Sequence, residues 1–211
     1  MRTILLKKLS FVFRNLYKNK EKKSSQMPAQ KRKKKEWYPI VAHKTFNEKV
    51  LGETYLLDPT KSIGRCLSVS LADLIGDIKR QNIYVRFRIT DFTGTKLYAI
   101  PVGYEISPTV IKRMVRRRTR KIDDSFIVET LDKKKFRIKP FILTKGKVNN
   151  SVASALRLTS REKLADAIKN LNSENLFEAI VGHKLQSTLY KELSKIYPLK
   201  YFEIRKLELI S

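Results

Sequence analysis

Cysteine is nearly absent: Cys66 is the only one in 211 residues, so no internal disulfide can form and a disulfide-stapled extracellular scaffold is excluded. Cys66 lies in an apolar stretch between Ile63 and Leu71, which makes it a small buried filler by expectation. Histidine is as scarce. His43 and His183 are the only two, far apart in sequence, and no zinc-type spacing surrounds Cys66. No metal and no cofactor are therefore expected. Glycines such as Gly94, Gly103, Gly146 and Gly182 are scattered and form neither a dinucleotide nor a phosphate-loop signature. Long apolar runs are missing too: nothing approaches the roughly 18 residues of a membrane span. The opening Met1-Arg-Thr-Ile-Leu-Leu is interrupted by Lys7 and Lys8 before it reaches the length of a signal-peptide core. A cytoplasmic protein is the expectation.

Acids are the scarcity that matters most. Only 20 Asp and Glu stand against 46 Lys and Arg, leaving a net charge of +26. Such a surface repels itself unless a polyanion neutralises it, and nucleic-acid phosphates do so with release of condensed counterions. An anionic membrane is the competing polyanion. Among the few acids, Asp73, Asp77, Asp123 and Asp124 are the candidates for Mg²⁺ in a nuclease. Asp123 and Asp124 are neighbours, however, and adjacent strand positions face opposite ways, so no enzyme is expected.

What is present is a core and a distribution of cations. Hydrophobic residues make up 42% of the chain, with ten Phe and nine Tyr, enough for one main domain. Residues 1–36 read as a disordered basic arm, ending in the run Lys31, Arg32, Lys33, Lys34, Lys35. Met27 opens Met-Pro-Ala-Gln like an initiator, and two readings of residues 1–26 stand open: part of the functional protein, or an extension. Trp37 follows the run, and an aromatic entering a strand is more often core than a platform for a base.

From 37 the period becomes two. It is clearest at Ile83, Val85, Phe87 and Ile89, which alternate with Tyr84, Arg86 and Arg88. Weaker strand runs lie at 37–42, 49–57, 63–71, 95–104, 122–131, 135–144 and 200–209, the last with a change of face near Lys206 that predicts a bulge. Ser107 and Pro108 predict a helix start, leading the apolar stripe Val110, Ile111, Met114 and Val115, with Lys112, Arg113, Arg116 and Arg117 opposite. After 150 the spacing turns helical. The expected fold is α+β: an antiparallel β-barrel-like domain over 37–149 that binds RNA, then a helical part over 150–211 whose final strand packs back on the barrel.

The strongest constellation is Lys112, Arg113, Arg116, Arg117, Arg118, Arg120 and Lys121, a stretch with no acid between Glu105 and Asp123. Arginine's planar fork grips two phosphate oxygens at once and stacks on bases, which argues for structured RNA. Lys145 and Lys147, with Arg157 and Arg161, are weaker candidates to continue the surface.

Several segments carry a resemblance: Leu51-Gly-Glu-Thr54 with Asp58-Pro59 and Ile63-Gly-Arg65, then Leu71-Ala-Asp-Leu-Ile-Gly-Asp77, Val102-Gly-Tyr-Glu105, Val115-Arg-Arg-Arg118 with Lys121-Ile-Asp123, Arg137-Ile-Lys-Pro140, Lys195-Ile-Tyr-Pro-Leu199 and Glu203-Ile-Arg-Lys206. Over about residues 35–209 these resemble the archaeal and eukaryotic small-subunit ribosomal protein family S-one-e, also called S-three-a-e. The resemblance implies a β-barrel with a helical C-terminal part, seated on the platform of the small subunit near the messenger RNA exit. The partners it implies are ribosomal RNA, neighbouring small-subunit proteins and the messenger, with no membrane. Three departures stand out: Tyr104 where His is usual, Asp132-Lys-Lys-Lys135 where a glycine turn is usual, and few basic residues from Val148 to Ala155.

Overall fold

The computed structural model describes residues 34–210. Alternation sets its strands. In β4 (Ile83–Thr93) Val85, Phe87 and Ile89 are buried while Tyr84, Arg86 and Arg88 are exposed. The same parity operates in β3 (Cys66–Ser70), where Leu67 pairs with Phe87 and Val69 with Val85, and Cys66 pairs with Arg88 on the outward face. Cys66 is therefore exposed and not the buried filler expected, because Ser68 and Ser70 share its parity and direct that face to water.

The remaining strands are β1 (Glu36–Ala42), β2 (Val50–Leu56), β5 (Lys96–Ile106), β6 (Lys121–Asp123), β7 (Phe126–Glu129), β8 (Lys135–Thr144) and β9 (Leu199–Leu209). Five α-helices accompany them among the described residues: α1 (Leu71–Ile75), α2 (Pro108–Met114), α3 (Asn150–Lys169), α4 (Ser173–Val181) and α5 (Lys184–Leu193). The class is α+β, as expected, but the sheet is mixed and open instead of an antiparallel barrel. One edge of β5 carries β4 along its length. The other is divided between β1, parallel at Leu97–Ala99, and β9, antiparallel at Gly103–Glu105. Dividing that edge splits the sheet into two arms, β1–β2 and β9–β8, where a barrel would continue around in one path. The terminal strands β2, β3, β6 and β7 each pair with a single neighbour among the described residues, so nothing closes the ring.

Beside the sheet lies the helical layer. In α3, Ala153, Leu156, Ser160, Leu164 and Ile168 form the buried stripe, at the three-and-four spacing of one helix face. Phe177 of α4 meets Phe136 of β8 edge to face, with centroids 5.9 Å apart. Such contact is worth about 0.5–1.5 kcal/mol beyond burial. The β7–β8 turn adds a tie of its own. Lys133 takes the left-handed conformation (φ +57°) that a glycine would otherwise supply, while the Asp132 carboxylate accepts from Ser173 N at 2.7 Å and Ser173 Oγ at 2.8 Å. Those bonds hold Asp132 below the usual carboxylate range and satisfy an orphan donor at the start of α4. The departure at 132–135 thus keeps the turn and pins α4 to it.

Strand β9 carries the predicted bulge. Its register against β8 shifts between Lys139–Lys206 and Pro140–Ile204, leaving Arg205 as the extra residue. No helix of the described residues is long and apolar enough to cross a membrane.

Candidate nucleic-acid interface

The expected helix forms at Pro108–Met114 with Ser107 at the N-cap position, although the Ser107 side chain makes no capping bond. Ile111 is buried, and Lys112 and Arg113 on the other side are exposed. Beyond Val115 the chain turns sharply: Arg118 has φ +67°, and Thr119 donates its hydroxyl to Arg116 O at 2.7 Å. Arg116, Arg117 and Arg118 are exposed on this turn. A non-glycine residue at positive φ is uncommon, and here it fans the arginines out from one tight bend.

Thr144 at the end of β8 is the anchor. Its buried hydroxyl accepts from Arg120 N at 3.0 Å and donates to Gly146 O at 2.6 Å, while Thr144 N donates to Arg120 O at 3.1 Å. Arg120 Nη2 reaches Asn150 Oδ1 at 2.8 Å. This joins the arginine turn to the segment bearing Lys145 and Lys147, both exposed, and to the start of α3. Among the described residues no carboxylate pairs with Lys112, Arg113, Arg116, Arg117, Arg118 or Arg120, whereas Lys121 is bound by Asp123 at 2.5 Å.

A recess of about 350 Å³ extends this surface. Lys112 and Lys121 line it together with Lys139, Arg205 and Lys206. The last three were missed in sequence because they come together only through the β8–β9 register, in which Lys139 lies opposite Lys206 and the bulge adds Arg205. The predicted bulge near Lys206 was the available signal. Two acids temper the recess. Asp123 lies 3.8 Å from Arg205, and Glu105 lies 3.5 Å from Lys206. Lys206 is raised above its ordinary value, chiefly by its bond to Glu208, and Glu208 is lowered for the same reason.

Of the weaker candidates, Arg161 is taken. Its guanidinium donates to both oxygens of Asp124, at 2.8 and 3.0 Å. Burial alone would raise the Asp124 carboxyl, but the bonds from Arg161 and Ser125 outweigh it and hold it below its usual range. Asp123 and Asp124 are thus each committed to cations. Arg157 instead lines a second recess with Arg120 and Lys121.

The arm falls elsewhere. Lys31, Arg32 and Lys33 lie outside the described residues, and Lys34 and Lys35 are exposed. Because β1 runs parallel to β5, Lys35 stands near the start of β5, while α2 follows its end. An 11-residue strand spans roughly 35 Å if straight. Lys35 therefore does not join the arginine turn in one patch. Trp37 is 63% exposed, against the expectation of a core residue; buried Tyr38, Ile40 and Ala42 occupy the opposite parity of β1.

The sequence model described as the Ribosomal S3Ae family matches residues 22–211 of this chain. Small ribosomal subunit protein eS1 of Methanothrix thermoacetophila is 33% identical over 187 residues, covering 89% of each chain. The eS1 proteins of Halorubrum lacusprofundi and Saccharolobus islandicus are each 32% identical, over 88% and 84% of this chain and 86% of their own.

Proposed function

The chain belongs to the ribosomal S3Ae family, and from that membership we propose that it is a structural constituent of the small ribosomal subunit. It binds ribosomal RNA through the surface formed by Lys112, Arg113, Arg116, Arg117, Arg118, Arg120 and Lys121, continued by Lys145 and Lys147. The observation that carries this reading is the arginine turn held by Thr144, whose cations face water with no carboxylate of the described residues to neutralise them. Unpaired guanidiniums on a fixed bend are preorganised for phosphate oxygens, and a bidentate grip adds geometric selectivity to charge.

The mechanism involves no turnover. The mixed sheet positions the turn, phosphates replace the missing acids, and released counterions drive association. The recess with Lys139, Arg205 and Lys206 extends the phosphate track. The Lys31–Lys35 run makes a separate contact with the RNA, and of its cations Lys35 stands near the start of β5. Neighbouring small-subunit proteins on the platform and messenger RNA near the exit complete the set of partners, and the protein works in the cytoplasm on the ribosome. Phosphate contacts fix register and orientation without reading bases.

Sedimentation of a gently lysed extract through sucrose at low and high salt tests the placement. Co-migration with small subunits that persists through a moderate-salt wash is the expected result. Protein remaining at the top of a low-salt gradient overturns the assignment.

A further inference from the structure

Trp37 and Tyr55 are directly opposite each other on β1 and β2. Their ring centroids are 5.0 Å apart at an interplanar angle of 40°, yet Trp37 is 63% and Tyr55 50% exposed. Large aromatics dominate buried surface, and a contacting pair left this open on a folded protein is unusual. The core does not require it: on these two strands Tyr38, Ile40, Val41, Ala42 and Leu56 supply the buried side chains. Lys35 sits over the Tyr55 ring with Nζ 5.8 Å from its centroid, within cation–π reach.

The geometry points to an aromatic platform on which Trp37 and Tyr55 stack an unpaired RNA base, with Lys35 taking the adjoining phosphate. This rests on the RNA-binding reading above and adds to it a site that contacts a base, at the opposite end of β5 from the arginine turn. Rings already in contact leave no gap for insertion, so the base lies on the exposed face of the indole. Charge selects the approach. Lys35 is at one end of the platform, while the next outward positions along the strands are Pro39 and Glu53, so the RNA backbone passes on the lysine side. A broad apolar patch would suit a protein partner. Two rings bounded by a lysine at one end and a glutamate at the other instead suit a single base, as on the stacking surfaces of single-strand binders.

Trp37 is the only tryptophan, so selective excitation of indole reads this site alone in the full-length protein. The probes are a 5′-labelled 12-nucleotide oligoadenylate, followed by label anisotropy for binding and by tryptophan emission for stacking, and inorganic polyphosphate. The expected result is RNA binding with quenched emission, and polyphosphate binding without quenching. Trp37→Ala should weaken RNA binding roughly 5- to 100-fold and leave polyphosphate affinity unchanged, with Trp37→Phe retaining most of the RNA affinity. RNA binding with unaltered emission, or equal quenching by polyphosphate, overturns the platform and leaves the RNA-binding reading intact. Emission that responds only to salt-extracted small-subunit proteins assigns the rings to a protein neighbour and also overturns it. Absence of any RNA binding removes both.

Discussion

The arginine turn and the helical layer are both rich in cations, but the helical layer ties several of its own to carboxylates and the turn ties none. Across α3–α5 and the strands beside them, Arg161 is held by Asp124, Lys163 by Glu192 at 2.5 Å, and His183 by Glu203 at 2.9 Å. From Lys112 to Arg120 no described carboxylate answers. Net charge alone does not distinguish the two regions. Pairing does: a matched cation belongs to the architecture, and an unmatched cluster on a fixed bend is left for an external anion.

The comparison breaks most decisively if reversing the unmatched charges does nothing. Arg116→Glu with Arg117→Glu should abolish incorporation into small subunits while the melting temperature stays within about 2 °C, since exposed substitutions seldom move stability by more than about 0.5 kcal/mol. With about six phosphate contacts, wild-type RNA affinity should fall roughly a thousandfold between about 50 and 200 mM salt, and the double variant should show a shallower dependence.

The matched side gives the converse. Arg161→Glu removes a two-pronged bond and sets like charge against Asp124, whose side chain is 10% exposed. A drop of roughly 3–6 °C in thermal melting is expected. RNA affinity by electrophoretic shift should stay within about threefold. A large affinity loss without destabilisation would move Arg161 to the binding surface.

The smallest effect refines the matched class. His183 is raised above its ordinary value, first by its bond to Glu203. Its contribution is therefore full below the unfolded value near pH 6.5 and lost as pH rises through the higher folded value. Between pH 6 and pH 8 the wild type should lose about 1–2 °C more than His183→Gln, a modest figure because the imidazole is 40% exposed and screened. Equal losses would remove the pair from the matched set.

Local period carried far in this chain where one residue's neighbours decide its fate. Ile83 to Ile89 announced β4, Ser107-Pro108 announced α2, and the change of face at Lys206 announced the Arg205 bulge. The same alternation, applied strictly, turns Cys66 outward with Ser68 and Ser70, and Trp37 outward opposite Tyr38 and Ile40; general preferences for burying cysteine and tryptophan led the other way. Pairing between distant strands was not legible, because a strand's period is the same whichever neighbour it takes. The parallel contact of β1 with β5 and the meeting of Lys139 with Lys206 both lie at that level. So does the separation of Lys35 from the arginine turn. The stretch 122–131 read as one strand, but it divides at Asp124-Ser125 into β6 and β7, where Asp124 turns to Arg161.

Strand β9 lies between β5 and β8 and follows every other strand in chain order. During synthesis the two strands it joins are made first, and both wait with open hydrogen-bonding edges. Long-range pairings of this kind form slowly, and unpaired edges recruit other chains. The sheet is completed from its interior by its last strand, so a newborn molecule interrupted before Leu199 presents a sticky intermediate, for which a chaperone or prompt capture by RNA is the remedy.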